Sequence, residues 1–416
     1  MSGVEVPKGY KQSEVGVIPE DWNIQKGEEI TTLISKGASP RWQGFEYTRQ
    51  GMLFITSENV RDGFLEITRP KYLPLEFNEK IKRTKIYKED ILINLVGASI
   101  GRSCQVKYNL GIANINQAVA VFRVVDKHNS YFIAYYLQSS TAIRQIFDMQ
   151  VDAARPNISL GNLRQFLFPL PPTKAEQEAI AEALSDADGL IESLKQLIAK
   201  KQMIKQGAMQ ELLIGKKRLP GFSGEWKTTS FGGIVERIVG GGTPSRSIPD
   251  YWNGDIPWMT VKDFAQHDSV TTIEYITKKG LKNSASHLIP KHTLITSTRM
   301  ALGKAVIFNV DITINQDLKA IFPTKEINTL FLYYWFQFNE AYIAEKGSGS
   351  TVMGISLNDL KKIPFAKPTL LEQTAIATIL SDMDDEITAL ETKLSKARQI
   401  KQGMMQELLT GRVRLV

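Results

Sequence analysis

Residues 204–215 read IKQGAMQELLIG and residues 400–411 read IKQGMMQELLTG, with ten of twelve positions identical at an offset of 196. A repeat of that fidelity constrains the fold more than any other feature, because both copies must bury the same faces in the same way. The match continues upstream. Ser159-Leu160 recurs as Ser356-Leu357, and Glu176-Gln177 as Glu372-Gln373. ANINQAVAVF (113–122) parallels ITINQDLKAIF (312–322), and each precedes an aromatic stretch, YFIAYYLQ or LFLYYWFQ. EDILINLVGASIGRSCQV (89–106) parallels KHTLITSTRMALGKAVIF (291–308), and GMLFITSENV (51–60) parallels DIPWMTVKDF (255–264). The offset drifts from 204 to 196, as loops of unequal length require. The N-terminal KGYKQSEVGVIPEDW resembles GKKRLPGFSGEW (215–226), which follows the first copy's helix. The chain is therefore expected to close on itself, with its two ends near each other.

Each copy combines a globular part with a long helix. Runs such as MLFIT, DILINLV, AVAVFRVV, IPWMTV and TLITST, set between Gly, Pro and Asn turns, predict small twisted sheets. The helices carry apolar residues at Ile180, Leu184, Ala187, Ile191, Leu194 and Ile198, and at Ile376, Leu380, Met383, Ile387, Leu390 and Leu394. This 4-3 spacing is a heptad seam, narrower than an ordinary core-facing stripe. Thr173 and Thr369, each after a proline, are placed to cap the helix starts, and Gly215 and Gly411 to end them. Two such helices in one chain pack on each other antiparallel; the alternative is that each lies on its own core. The predicted class is α+β: two mixed α/β domains separated by two long helices forming an antiparallel coiled coil, with a pseudo-two-fold internal repeat. The boundaries are 1–170 and 218–366 for the domains, and 171–217 and 367–416 for the helical segments.

Composition narrows the function by exclusion. The 416 residues are 43% hydrophobic and 23% charged, as in ordinary globular proteins. The formal charge of +7 suits a nucleic-acid partner without requiring one. A lone cysteine, Cys104, rules out an intrachain disulfide and a thiolate metal cluster, and His128, His267, His287 and His292 show no zinc-ligand spacing. No apolar run approaches the ~20 residues of a membrane span, and MSGVEVPKGYKQ lacks a signal peptide's apolar core. The cytoplasm is the expected location.

Catalytic motifs are missing. Pro171-Pro172 lies between Leu170 and Thr173, unlike the Asp/Asn-Pro-Pro-aromatic loop of an amino-methyltransferase. Gly303-Lys304 is followed by Ala305 and lacks the upstream glycine of a phosphate loop, and no Gly-x-Ser-x-Gly elbow occurs. Pro249-Asp250 with Asp317-Leu318-Lys319 imitates a nuclease motif, but the first copy has Ala118 and Ala120 where the second has Asp317 and Lys319. No catalytic, cofactor or metal residue is therefore assigned.

The GGGTPSRSIPDYWNGDIPWMTVKD string (240–263), the Ile-Asn-Gln strings at 115–117 and 314–316, the IS-L strings, the Glu-Gln pairs and the IKQG-MQELL-G ends are similar to those of type I restriction–modification specificity subunits. The resemblance covers nearly the whole chain; the first copy departs from it at SKGASPRWQGFEY (35–47). It implies a non-catalytic, double-stranded-DNA-binding subunit in which each target-recognition domain reads one half of a bipartite target. The helices would set the gap and dock two modification (methyltransferase) subunits. S-adenosylmethionine, ATP and Mg would belong to partner subunits, restriction subunits joining through the complex. The alternatives are a combined recognition and modification enzyme, or a protein-binding scaffold with no DNA readout. Loop amides, hydroxyls and cations suited to base edges and phosphates are Lys36, Ser39, Arg41, Ser57, Asn59, Asn94, Ser99 and Arg102 in the first copy. In the second they are Thr243, Ser245, Arg246, Lys262, Thr298, Arg299, Lys304, Ser350 and Thr351, with Arg246 and Arg299 foremost. Asn116-Gln117 and Asn315-Gln316 occur in both copies and are expected to serve the fold, as are the aromatic clusters Tyr131–Tyr136 and Phe331–Phe338.

Overall fold

The computed structural model describes residues 6–149, 157–266, 268–349 and 353–415. The chain forms two compact units, 1–195 with 392–416, and 196–391. These units do not coincide with the sequence copies. Each takes the last turns of the long helix that belongs to the other copy.

The first unit opens on a hairpin of β1 (Tyr10–Ser13) and β2 (Gly16–Pro19), then β3 (Asn23–Lys26) and β4 (Thr31–Lys36). There follow β5 (Met52–Ile55), β6 (Lys71–Leu73), α1 (Leu75–Lys80), β7 (Ile91–Asn94), β8 (Ser103–Gln105), β9 (Ala113–Ile115) and β10 (Val119–Val124). The helices α2 (Ser130–Leu137), α3 (Ser140–Asp148) and α4 (Leu160–Gln165) lead to β11 (Leu167–Leu170) and the 39-residue α5 (Lys174–Leu212). An antiparallel sheet in the order β4-β10-β7-β8 lies beside a mixed sheet β6-β5-β9, and β11 pairs with β3. The run VAVFRV buries both faces of β10. Ala120 and Phe122 face the core that holds Trp22 and Phe132, whereas Val119 and Val121 face the one that holds Ile55 and Cys104. A strand covered on both sides reads as a continuous apolar run rather than an alternating one.

The second unit repeats this plan with β12 (Lys227–Ser230), β13 (Val235–Gly240), β14 (Trp252–Met259), β15 (Glu274–Ile276), α6 (Lys278–Lys282), β16 (Leu294–Ser297), β17 (Ala305–Ile307), β18 (Thr313–Ile314) and β19 (Leu318–Pro323). It ends with α7 (Thr329–Glu345), α8 (Leu357–Lys362), β20 (Pro364–Lys367) and α9 (Leu370–Leu408), again 39 residues long. Its sheets, β13-β19-β16-β17, β15-β14-β18 and β12-β20, match the first unit's pair for pair. The copies differ locally. The single helix α7 stands where the first unit breaks between α2 and α3, because the Ser139 hydroxyl accepts from Ala142 N and starts a new helix. The aromatic stretches are core: Phe132 and Tyr136, and Phe331, Tyr334 and Phe336, are buried.

The long helices pack in opposite directions within each unit. In the first, Ile180 and Leu184 near the start of α5 share a core with Leu408 and Leu409 at the end of α9. In the second, Ile376 and Leu380 share one with Leu212 and Leu213. Of the remaining seam positions, Ile191, Ile198, Ile387 and Leu394 are buried, and Ala187, Leu194, Met383 and Leu390 are half-buried. Thr173 and Thr369 cap the helices through Glu176 N and Glu372 N. Gly215 (φ 71°) and Gly411 (φ 70°) end them in the left-handed conformation. A Cβ on Gly411 would also lie 2.5 Å from Pro19, so the position excludes a side chain on space as well as on φ.

Two ion-pair knots hold each unit. Glu176, whose side chain is 2% exposed, takes both arms of Arg414, which also clamps Asp21 at 2.9 and 3.0 Å. In the second unit Arg218 grips the buried Glu372, which also accepts from Trp226 Nε1. Farther along, Lys401 and Tyr135 both bind Asp188, as Lys205 and Tyr334 both bind Asp384. Removing one partner of a buried pair leaves a charge without solvent or counter-ion, at a cost of about 3 kcal/mol. Arg414→Ala is therefore expected to destabilise the first unit by about that amount in urea unfolding. The double replacement Glu176→Gln with Arg414→Gln should return most of the loss.

Candidate nucleic-acid interface

The second unit gathers several of the sequence candidates around one open hollow of about 310 Å³. Thr243 and Arg246 come from the loop after β13, Lys262 from the turn after β14, and Asn315, Gln316 and Asp317 from the link between β18 and β19. The backbone of that link is fixed by Asn315, whose Oδ1 accepts from Asp317 N, as Asn116 Oδ1 does from Ala118 N in the first unit. The shared asparagine thus makes a turn, while the glutamines beside it are exposed in both units. Thr243 Oγ1 donates to Gln316 Oε1 at 2.5 Å.

Arg246 is held in place rather than free. Both its terminal nitrogens reach the Glu274 carboxylate, and its guanidinium lies 3.7 Å from the centroid of the Trp252 ring. The hydrogen bond from Arg246 holds the Glu274 carboxyl below its usual range, and Glu274 in turn raises Arg246. The guanidinium is a charge fixed in orientation, with donors left over for an anion. Arg299 pairs with Asp317 at 3.5 Å, and Thr298, buried, donates to the Asp317 carbonyl. Lys319, half-buried behind the link, donates to the carbonyls of Gln316 and Leu318; burial lowers its pKa. Ser245 bonds Ser247, and Lys304 is exposed beyond β16. Ser350 and Thr351 lie outside the described residues, as does His267.

The first unit spreads its candidates more widely. Lys36 is exposed at the end of β4, and Ser39 and Arg41 stand at the short turn Arg41–Gln43. Asn94 is fully buried and turned inward, donating to Ser57 O and Ser99 Oγ. Asn59 is spent on Thr56 and Glu66, the same turn that Asp263 makes with Thr260 in the second unit. Arg102 lies 3.6 Å from Asp62. Sequence reasoning missed Trp42, which is 88% exposed between Arg41 and Gln43. An indole in a Ser/Pro/Gly loop, flanked by a cation and an amide, was the available signal.

Equivalent positions carry opposite charge in the two units. Phe54 pairs with Lys71 across β5 and β6 as Trp258 pairs with Glu274 across β14 and β15. Lys71 binds Glu58 at 2.7 Å, whereas the second unit has Lys262 in place of Glu58 and Glu274 in place of Lys71. The nuclease-like string does not assemble a metal site. Asp250 pairs with Lys279, and among the described residues no group of three or more His, Cys, Asp or Glu is placed to hold a metal. Nor, among them, is any helix long and apolar enough to cross a membrane.

A fold made of two like units, with matched scaffolds and contrasting polar loops, defines a two-module recognition protein. A family model for the type I restriction modification DNA specificity domain matches residues 19–201 and again 223–399, and the chain belongs to that family. A protein of Methanocaldococcus jannaschii named as the specificity subunit of the type I restriction enzyme MjaX is 25% identical over 429 residues, covering 98% of this chain and 97% of its own. The EcoR124I/EcoR124II specificity subunit of Escherichia coli is 29% identical over 185 residues, 43% of this chain and 45% of its own. The S subunit of a type I restriction–modification system from M. genitalium has the same fold, with a TM-score of 0.61 at 16% identity over 97% of this chain and 98% of that one. The chain is thus a DNA-binding specificity subunit that works with the other subunits of a type I complex, and its role is recognition rather than catalysis.

The Arg246–Glu274 pair yields a pH test. Glu274's carboxyl is depressed in the fold, so the pair contributes stability above the unfolded value near 4.5 and loses it as pH falls through the folded value. Glu274→Gln removes that dependence. The melting-temperature gap between wild type and variant is expected to be present at pH 7 and to shrink below about pH 4.5.

Proposed function

We propose that each unit reads one half of an interrupted DNA target, and that the long helices set the gap and offer docking surface to two modification subunits. The domain boundaries that fit this reading are 1–170 and 218–366, with 171–217 and 367–416 as the helical spacers. The observation that carries it is the contrast between scaffold and lining. The Glu-Arg and Asp-Lys-Tyr knots and the Asn turns are the same in both units. The loops around the hollow differ in charge and hydrogen-bonding sense, with Lys262, Glu274 and Asp317 against Glu58, Lys71 and Ala118. Two readers of different sequences need that division, since donors and acceptors on the protein must mirror those on the base edges.

In this reading Arg246, Lys262, Arg299 and Lys304, with Lys36, Arg41 and Arg102, supply cations to phosphates and base edges. Ser39, Ser57, Ser99, Thr243 and Ser245 supply hydroxyls. Asn59, Asn94 and Thr298 hold the loops that carry them. Two different readers in one chain suit an asymmetric target, whereas a homodimer imposes a palindrome.

The test is an exchange of residues 20–170 for the matching part of another family member, in a complex reconstituted with modification subunits. Sequencing of the methylated DNA is expected to show one half of the target changed and the other half intact. A change in both halves, or in neither, would sink the proposal.

A further inference from the structure

Met300 lies in the turn between β16 and β17 with φ at 68°, is 65% exposed, and lines the hollow. That backbone region disfavours any residue with a side chain except where the surroundings or a function demand it. The first unit shows the unstrained solution. Val96 bridges Asn157 as Arg299 bridges Gly354, and the residue that follows Val96 is Gly97, at φ 75°. The turn is therefore a glycine turn that in the second unit bears a methionine. Burial does not account for the methionine, because the residue is mostly exposed.

Asp317, which lines the same hollow, is a second departure. Its side chain is 17% exposed, and among the described residues its carboxylate's hydrogen bonds are long, 3.5 Å from Arg299 Nη1 and 3.3 Å from Asn315 Nδ2. A carboxylate so placed keeps acceptor capacity for a ligand's N–H. The equivalent residue of the first unit is Ala118, a methyl group. Lys262 and Arg299 lie close by, which offsets the repulsion a lone carboxylate would meet near phosphates.

We propose that Asp317 and Met300 are base-reading residues of the second unit, selecting a base with an exocyclic amine. The Asp317 carboxylate accepts an amino hydrogen from adenine N6 or cytosine N4 in the major groove, and Met300 packs on the apolar edge of that base or its neighbour. Thymine O4 and guanine O6 present acceptors there and are repelled. The first unit, with Ala118 and Gly97, lacks both contacts, so its half of the target carries no such requirement. This inference rests on the half-site reading above.

Met300→Gly and Asp317→Asn test it in the reconstituted complex, with a randomised-site DNA library as substrate and the methylated positions read by sequencing. Met300→Gly relieves the backbone and is expected to melt at or above the wild-type temperature while DNA binding weakens several-fold. Asp317→Asn leaves the shape intact, and discrimination at one position of one half-site is expected to fall by about tenfold or more. If both variants bind and discriminate as wild type does, the proposal is overturned. Exchange of residues 218–366 in the same assay separates the two failures. If the exchange alters one half-site but the point variants do not, only the residue assignment falls; if the exchange alters neither half, the half-site reading falls with it.

Discussion

Glu176 and Glu372 stand in the first turn of each long helix, and each is almost fully buried with its carboxylate gripped by an arginine from just beyond the end of the other helix. A buried carboxylate is costly unless paired, so the buried start of one helix depends energetically on the end of its partner. The left-handed glycines 411 and 215 turn the chain to deliver Arg414 and Arg218, and they leave room for Trp22 and Trp226 to pack against the turn. This reciprocal grip explains why the first unit includes residues 392–416 and why the second begins inside the first copy's long helix. It also fixes the register in which Ile180 and Leu184 meet Leu408 and Leu409, and Ile376 and Leu380 meet Leu212 and Leu213.

With the scaffold held that way, the loops are free to diverge. The first unit's Glu58–Lys71 pair and the second unit's Lys262 and Glu274 occupy equivalent backbone positions with the charges exchanged. None of these four side chains belongs to the apolar cores on which the sheets pack. Such polar variation on a constant frame suits a protein that must recognise two different surfaces with one architecture, and it agrees with the family to which the chain belongs.

Much of the frame was legible in the sequence because it is repeated and periodic. The heptad seam, the Thr caps, the terminal glycines and the strand cores all follow from local spacing. The buried knots were less legible. Glu176 and Glu372 stood out as repeated, but their partners lie 238 and 154 residues away, a separation that no local pattern encodes. The interface was only partly readable for a similar reason. A polar residue in a loop or at a strand end looks the same in the sequence whether it faces out, like Thr243, or in, like Asn94, which is buried at the end of β7. Met300 and Trp42 escaped notice because apolar residues are assigned to cores by default, and only the backbone angle or the exposure marks them as outward. Even the alignment of the copies needed the fold. β7 and β16 pair at an offset of 203 and β8 and β17 at 202, so the first copy has one extra residue in the intervening turn.

We propose that two unlike readers on one frame recognise one interrupted sequence. The most direct measurement is single-molecule sequencing of DNA methylated by the wild-type chain together with its modification subunits. Methylation is expected within a single motif of two dissimilar halves separated by a gap of fixed length and free sequence. Methylation at one contiguous motif, at a palindrome, or without regard to sequence would contradict it.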